Sequence, residues 1–311
     1  MGHIIATVNM KGGVGKTTLT VNLAASLVKD SGKRVLVVDL DTQINATLST
    51  ISMTEFAKLR KEQGTLKHLI QQAIQPQTNR QISIKDVIVK NSSKLAGLDV
   101  LPGDIELYDE HIVSATLARE FAKEGSDNFD AVWNRFENKL VQDILQPILE
   151  EYDFILLDCA PGYNLLTRSA LIASHFYLMP AKAEPLSLVG MELLQRRIRK
   201  LRESHSFANS FFPQLLGIVF SGSGGAATKY YAQVMQRVID DFGADKIFKT
   251  QIPINVDIAK AVDSFTPVVL SAPNTIGAKA FSMFTREFLQ KVGFYEEIIH
   301  RNTKLRLANL D

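Results

Sequence analysis

Cysteine is almost missing from these 311 residues, where only Cys159 is present. A lone thiol closes no intrachain disulfide and supplies no thiolate metal centre by itself, so a disulfide-stapled scaffold is excluded and a reducing compartment is expected. An excess of one charge is missing too: 35 Lys and Arg face 33 Asp and Glu, a formal net charge of +2. No global field therefore draws the chain to nucleic acid or acidic membrane, and any such binding must come from a local cluster of cations. No run approaches the roughly 18 uninterrupted apolar residues of a spanning helix. The segment from Met1 to Asn9 has no basic region and only a short apolar stretch, so no secretory signal is expected. Repeats, low-complexity tracts and Pro/Gly/Ser-rich linkers are lacking as well. One domain over residues 1–311, located in the cytoplasm, is expected.

What is present is a recurring pattern of short apolar runs. Ile4 to Val8, Val35 to Val38 and Phe154 to Leu157 are apolar at nearly every position, which predicts strands buried on both faces. Leu98 to Leu101, Phe176 to Met179 and Leu215 to Phe220 are further strand candidates. Between them lie segments of helical spacing, such as Leu140, Val141, Ile144, Leu145, Ile148 and Leu149 on one stripe, and a terminal helix is predicted from Ile276 to Val292. Strands alternating with helices predict an α/β fold with a mostly parallel central sheet and helices on both faces. The polar stretch from Ser52 to Lys94 carries the weakest pattern, with a loop predicted over Gln71 to Gln81 after a short helix.

The first strand leads into Met10-Lys11-Gly12-Gly13-Val14-Gly15-Lys16-Thr17-Thr18 and then a helical pattern through Leu19, Leu23 and Leu27. Glycines let the backbone curl so that several N–H groups point at phosphates, and the following helix presents its positive end to them. In that context Lys16 neutralises the β and γ phosphates and the Thr17 hydroxyl ligates Mg²⁺. The strict pattern has a glycine where Met10 stands.

These residues resemble the deviant Walker A box of the ParA/MinD family of P-loop ATPases, whose signature is the first lysine, here Lys11. The resemblance extends through Val38-Asp39-Leu40-Asp41-Thr42-Gln43, Leu101-Pro102-Gly103-Asp104, Tyr152 to Gly162 and a late Lys249-Thr250-Gln251-Ile252-Pro253. Thr42 stands where the family often has proline, and Ser52 onward and Lys123 to Asp130 look longer than in compact members. The resemblance implies ATP and Mg²⁺ as cofactors, with nucleotide contacts from Lys11, Gly12, Gly13, Val14, Gly15, Lys16, Thr17, Thr18 and Pro253. It implies that Lys11 reaches a phosphate of a second copy in an ATP-sandwich homodimer, stabilising charge in trans as an arginine finger does. Lys16 and Lys11 are then catalytic together with Asp41.

Asp39 and Asp41 follow a buried strand, at the edge where parallel sheets bind ligands. The roles open to such carboxylates are a hydrogen bond to Mg²⁺-bound water and positioning of the attacking water; the resemblance gives Asp39 the first and Asp41 the second. Asp158, at the end of another apolar run, reads as the acid that holds Mg²⁺ through water, with Thr17 and Asp39 completing the metal set. Cys159 to Tyr163 then form a switch that senses the γ-phosphate. Cys159 itself reads as a packed thiol, since no histidine lies nearby in sequence.

Within the family, the nitrogenase iron protein and iron–sulfur carriers need at least two cysteines, which excludes them, and the tyrosine kinases carry a tyrosine-rich tail where this chain has Tyr295 alone. Two readings remain. A ParA-like ATPase binds DNA non-specifically as its ATP dimer, is nucleoid-associated in that state, and is stimulated by a ParB-like or other cargo adaptor. A MinD-like ATPase grips the membrane through an amphipathic tail. Met191 to Glu203 holds Arg196, Arg197, Arg199, Lys200 and Arg202 against Glu192 and Glu203, five cations less two carboxylates, a local +3. Leu194, Ile198 and Leu201 face inward there, leaving Arg196, Arg199, Lys200 and Arg202 as candidate DNA contacts. Whether Lys229, Lys246, Lys249 and Lys260 join them is left open. The tail from Phe281 carries Glu296-Glu297 among its apolar residues and an interruption expected at Gly293, which fits a packed helix better than a membrane helix. The loop begins only ten residues in, so operator binding is not expected.

Overall fold

The computed structural model describes residues 2–75, 81–124, 128–204, 212–222 and 229–308. Seven strands, β1 (His3–Thr7), β2 (Val35–Leu40), β3 (Leu98–Leu101), β4 (Phe154–Cys159), β5 (Phe176–Lys182), β6 (Gln214–Gly222) and β7 (Ile252–Pro253), form one sheet in the order β3-β2-β4-β1-β5-β6-β7. Every pairing between these seven strands is parallel. Parallel neighbours need crossover connections, and the helices that make them bury both sheet faces.

Alternation along the strands builds two cores. Ile4, Ala6, Leu36, Val38, Ile155 and Leu157 face one side, where helices Phe129–Leu145, Leu165–Ala173, Pro185–Ser204 and Lys229–Phe242 pack. Ile5, Val35, Val37, Phe154 and Leu156 face the other, under helices Lys16–Ser31, Val256–Asp263 and Ile276–Ala308.

Register then places the chemistry. Thr7 pairs with Asp158 and Asp158 with Asp39, so three polar residues stand side by side at the carboxyl edge. By alternation with their apolar neighbours they share the face covered by Lys16–Ser31. A parallel sheet thus brings the end of β1, and the loop that follows it, beside the two acids.

The polar stretch after Ser52 folds into helices Met53–Lys61, Leu66–Ile74 and Ile84–Val87. The expected loop at Gln71 to Gln81 therefore begins later, because Ile74 is buried and keeps the helix to its end; residues 76–80 lie outside the described residues, as do 125–127 of the Lys123 to Asp130 stretch.

The terminal helix does not stop at Val292 or break at Gly293; it runs from Ile276 to Ala308. Contacts on both sides hold it through the glycine. Phe281, Phe284, Phe288 and Val292 are buried before it, while after it Tyr295 packs on Phe176 at 5.4 Å and Glu296 accepts from His3 at 2.7 Å. An interior glycine costs about 1 kcal/mol, which such packing offsets. No helix among the described residues is long and apolar enough to cross a membrane.

Candidate functional site

The loop after β1 enters helix Lys16–Ser31 through Gly15, whose φ of 90° is left-handed and natural only to glycine. Gly15 offers no side-chain cap, and the first turn carries no acidic residue. The first N–H groups of a helix have no intrahelical acceptor, so this uncapped end favours an anion. Lys16 stands at the same place, 6% exposed. Its ammonium hydrogen-bonds the Lys11 carbonyl at 3.2 Å and touches no carboxylate among the described residues. Burial pulls its pKa below the ordinary lysine range, opposed by the charges of Asp158 and Asp41. A buried cation without a contacting counter-ion, beside an uncapped helix, fits a polyphosphate.

The metal candidates separate into two groups. Thr17 Oγ1 donates to Asp158 Oδ2 at 2.7 Å, and Thr20 donates to the other oxygen at 3.2 Å. Desolvation, and after it the neighbouring Asp39 charge, push the Asp158 pKa well above the carboxylate range. Hydroxyl and carboxylate oxygens are the donors that Mg²⁺ prefers, and a carboxylate strained by burial gains from a cation. Asp39 sits beside them but is engaged elsewhere. Its carboxylate accepts from Thr47 N–H at 2.8 Å, from Thr47 Oγ1 at 2.7 Å and from Asp41 N–H at 3.2 Å. Thr47 Oγ1 in turn accepts from Gly103 N–H at 2.9 Å. Burial raises the Asp39 pKa, and these hydrogen bonds partly oppose it. Asp39 is placed to orient the loop that carries Asp41, whereas Asp41 itself faces the cleft.

That cleft, about 310 Å³, is lined by Gly13, Gly15, Lys16, Thr17, Thr18 and Asp41 of the sequence-predicted set. Gln43, Asn45 and Ser49 add a polar flank, and Ile258, Ala261, Val262, Phe265 and Pro267 an apolar one. Lys11, Gly12, Val14, Asp39, Asp158 and Pro253 do not line it; Pro253 lies in the edge strand β7. Lys11 points to Glu184, its ammonium 2.7 Å from Oε2, with both side chains substantially exposed. Pro161 reaches the cleft from the segment after β4, and two residues on, the Tyr163 ring lies beside Arg168 and Arg197 at 5.7 and 5.5 Å. Cys159 is buried, and burial holds its thiol well above the usual range, as for an inert packed sulfur.

In helix Pro185–Ser204, Leu194, Ile198 and Leu201 are buried while Arg196, Arg199, Lys200 and Arg202 are exposed. Arg196 pairs loosely with Glu192 at 3.7 Å and Arg202 lies 6.0 Å from the Phe212 ring. Lys246, bound to the Tyr295 hydroxyl, Lys249, whose N–H bonds Glu287, and Lys260 on helix Val256–Asp263 belong to elements of the opposite face. They do not extend the stripe. Lys229 begins helix Lys229–Phe242, on the stripe's own face.

Sequence reasoning passed over Thr47, Glu184 and the apolar flank. Nothing in a threonine eight residues after Asp39, or a glutamate 173 residues after Lys11, marks it as a partner; the first contact is made by the turn that folds helix Asn45–Leu48 back on the end of β2, and the second by the pairing of β1 with β5. Phe265 left a weak signal, an aromatic residue between Ser264 and Thr266-Pro267.

Comparison with known proteins follows the same lines. A family model described as an AAA domain matches residues 2–211. The chain is 32% identical over 288 residues to the sporulation initiation inhibitor protein Soj of Bacillus subtilis, spanning 92% of this chain and 98% of that protein. It is 29% identical over 293 residues to the chromosome partitioning protein ParA of Caulobacter vibrioides, spanning 93% and 94%. Among solved structures, an ATP complex of McdA from Cyanothece shares the fold with a TM-score of 0.66 at 18% identity, over 93% of this chain and 96% of that one.

Proposed function

The chain belongs to the ParA/MinD family of P-loop ATPases, and from that premise we propose that it is a ParA-like positioning ATPase acting as one domain over residues 1–311. It binds ATP with Mg²⁺, dimerises around the nucleotide, holds DNA without reading bases, and releases it on a hydrolysis step that a ParB-like or other cargo adaptor stimulates. Its place is the cytoplasm, on the nucleoid in the ATP state. The observation that carries the reading is the meeting of Lys16, Thr17 and Asp158 at an uncapped helix end.

Each residue has a physical part. Gly13 and Gly15 take left-handed φ values of 68° and 90°, and ideal Cβ atoms there would meet nothing within 4 Å, so the glycines serve the curl of the loop. Lys16 neutralises phosphate charge in a desolvated setting where a point charge acts strongly. Thr17 and Asp158 would hold Mg²⁺, which would supply charge neutralisation to the phosphate oxygens. Asp41 orients the attacking water, held at the cleft by the Asp39–Thr47 pair. Lys11 leaves Glu184 to serve the nucleotide of the second copy. Arg196, Arg199, Lys200 and Arg202 neutralise DNA phosphates.

The DNA reading is favoured over a membrane one by two features. The four cations share an exposed helix edge, and the terminal helix spends Phe281, Phe284, Phe288 and Val292 on the core instead of on a lipid face. Light scattering and phosphate release with and without ATP, DNA and vesicles test the proposal. Lys16→Ala should abolish ATP-dependent dimerisation and hydrolysis, and Lys11→Ala should bind nucleotide yet fail to dimerise or turn over. Wild-type behaviour from Lys16→Ala would sink it.

A further inference from the structure

Helix Val256–Asp263 ends in a left-handed cap: Phe265 N–H donates to Val262 O at 3.1 Å and Thr266 N–H to Ala261 O at 3.0 Å. The residue that closes such a cap is usually glycine, because a Cβ is disfavoured at positive φ. Here it is phenylalanine, with φ 49°. Packing does not repay this choice. Phe265 is 46% exposed, belongs to neither core, and has no ring or cation partner among the described residues. Its one distinction is place: it lines the cleft that holds Gly15, Lys16, Thr17 and Thr18. Costly backbone conformations persist where a site needs them.

We infer that Phe265 is the nucleobase platform of this site, its ring stacking on the base of the nucleotide whose phosphates lie at the loop. The inference rests on the ATP-binding reading above. The cleft's lining combines what such a ligand requires: the cationic loop with Asp41, and, from helix Val256–Asp263 and the residues after it, the apolar Ile258, Ala261, Val262 and Pro267 with Phe265. A flat aromatic ligand gains from a π-face and not merely from apolar cover, and every nucleobase has one. Phe265 therefore sets affinity for the base while the loop sets affinity for the phosphates.

Calorimetric titration of the full chain with Mg-ATP and with magnesium tripolyphosphate, which has no base, separates the two. Phe265→Gly should weaken ATP binding on the order of ten-fold and leave tripolyphosphate unchanged. Because glycine suits the cap, the same variant without ligand should melt about 2–4 °C higher than wild type. Phe265→Tyr should keep wild-type ATP affinity, and Phe265→Leu, apolar but not aromatic, should lose most of what glycine loses. The inference is overturned if Phe265→Gly and Phe265→Leu bind ATP as wild type does, or if they lose ATP and tripolyphosphate equally. Wild-type chain that takes neither ligand overturns the ATP reading itself, and this inference with it.

Discussion

Thr17 and Asp158, 141 residues apart, are joined by a 2.7 Å hydrogen bond that makes the phosphate loop and the end of β4 one structure. The bond exists because β1 and β4 are neighbours in register, with Thr7 opposite Asp158. Its acceptor is a carboxylate kept from water, and that fact has a measurable cost.

Asp158 is raised by desolvation and then by Asp39 to about 8. A group whose folded pKa lies above its unfolded value stabilises the fold below the unfolded pKa, near 4, and loses that contribution as pH rises through the folded one. Asp158→Asn has no such dependence. In the absence of nucleotide and metal its melting temperature should exceed that of wild type at pH 8, by a margin that shrinks steadily toward pH 5; a margin that grows on acidification would contradict the assignment. Mg²⁺-dependent hydrolysis should be lost at every pH.

The Lys11–Glu184 pair, with side chains 36% and 50% exposed, is screened by solvent and contributes no more than about 1 kcal/mol. Glu184→Gln frees Lys11 without disturbing a core contact. Because each of the two protomers gives up one such pair on dimerising, sedimentation with ATP should show the dimer forming at concentrations lower by up to about thirty-fold, and circular dichroism should show an unchanged melt without ATP. Weaker dimerisation would mean that Glu184 belongs to the dimer interface instead.

Thr47→Val keeps the shape and removes a hydroxyl that donates to Asp39 and accepts from Gly103. Gly103 N–H then lacks its partner, while the Asp39 carboxylate keeps the Thr47 and Asp41 N–H groups and loses one bond of three, and the cost is about 1–3 kcal/mol. Urea unfolding should show a lower midpoint at constant slope. Hydrolysis should fall more than ATP affinity, because the loop bearing Asp41 loses its anchor.

Each of Arg196, Arg199, Lys200 and Arg202 that meets a DNA phosphate contributes roughly 0.9 to the slope of log affinity against log salt. Replacing two of them by alanine should flatten that slope by up to about 1.8 for the ATP-bound protein, on any duplex sequence. An unchanged slope would place the DNA surface elsewhere.

How far these residues could be read before folding depends on the range of their interactions. Strands such as Val35–Leu40, buried on both faces, show as apolar runs, and Gly13, Gly15, Lys16 and Thr17 act within one loop whose geometry is local. The inward set Leu194, Ile198 and Leu201 follows from helical spacing alone. Gly293 misled because propensity is weak against tertiary contact, here Tyr295 on Phe176 and Glu296 on His3. Thr47 under Asp39, Glu184 against Lys11 and Phe265 at the cleft were illegible for a shared reason: each is set by a neighbour that strand order or a helix end supplies.

Gly103 touches neither the loop nor the cleft, yet a Cβ there would stand 2.8 Å from the Asp39 carbonyl oxygen and 3.2 Å from its Cβ and Cγ. In a deep mutational scan the position should therefore score as intolerant as the loop glycines while leaving no mark on any map of ligand contacts. Drift at the tip of one strand is thereby tied to an acid on the next, and a library that diversified the Leu101 to Asp104 segment for new specificity would lose most of its members to that single collision.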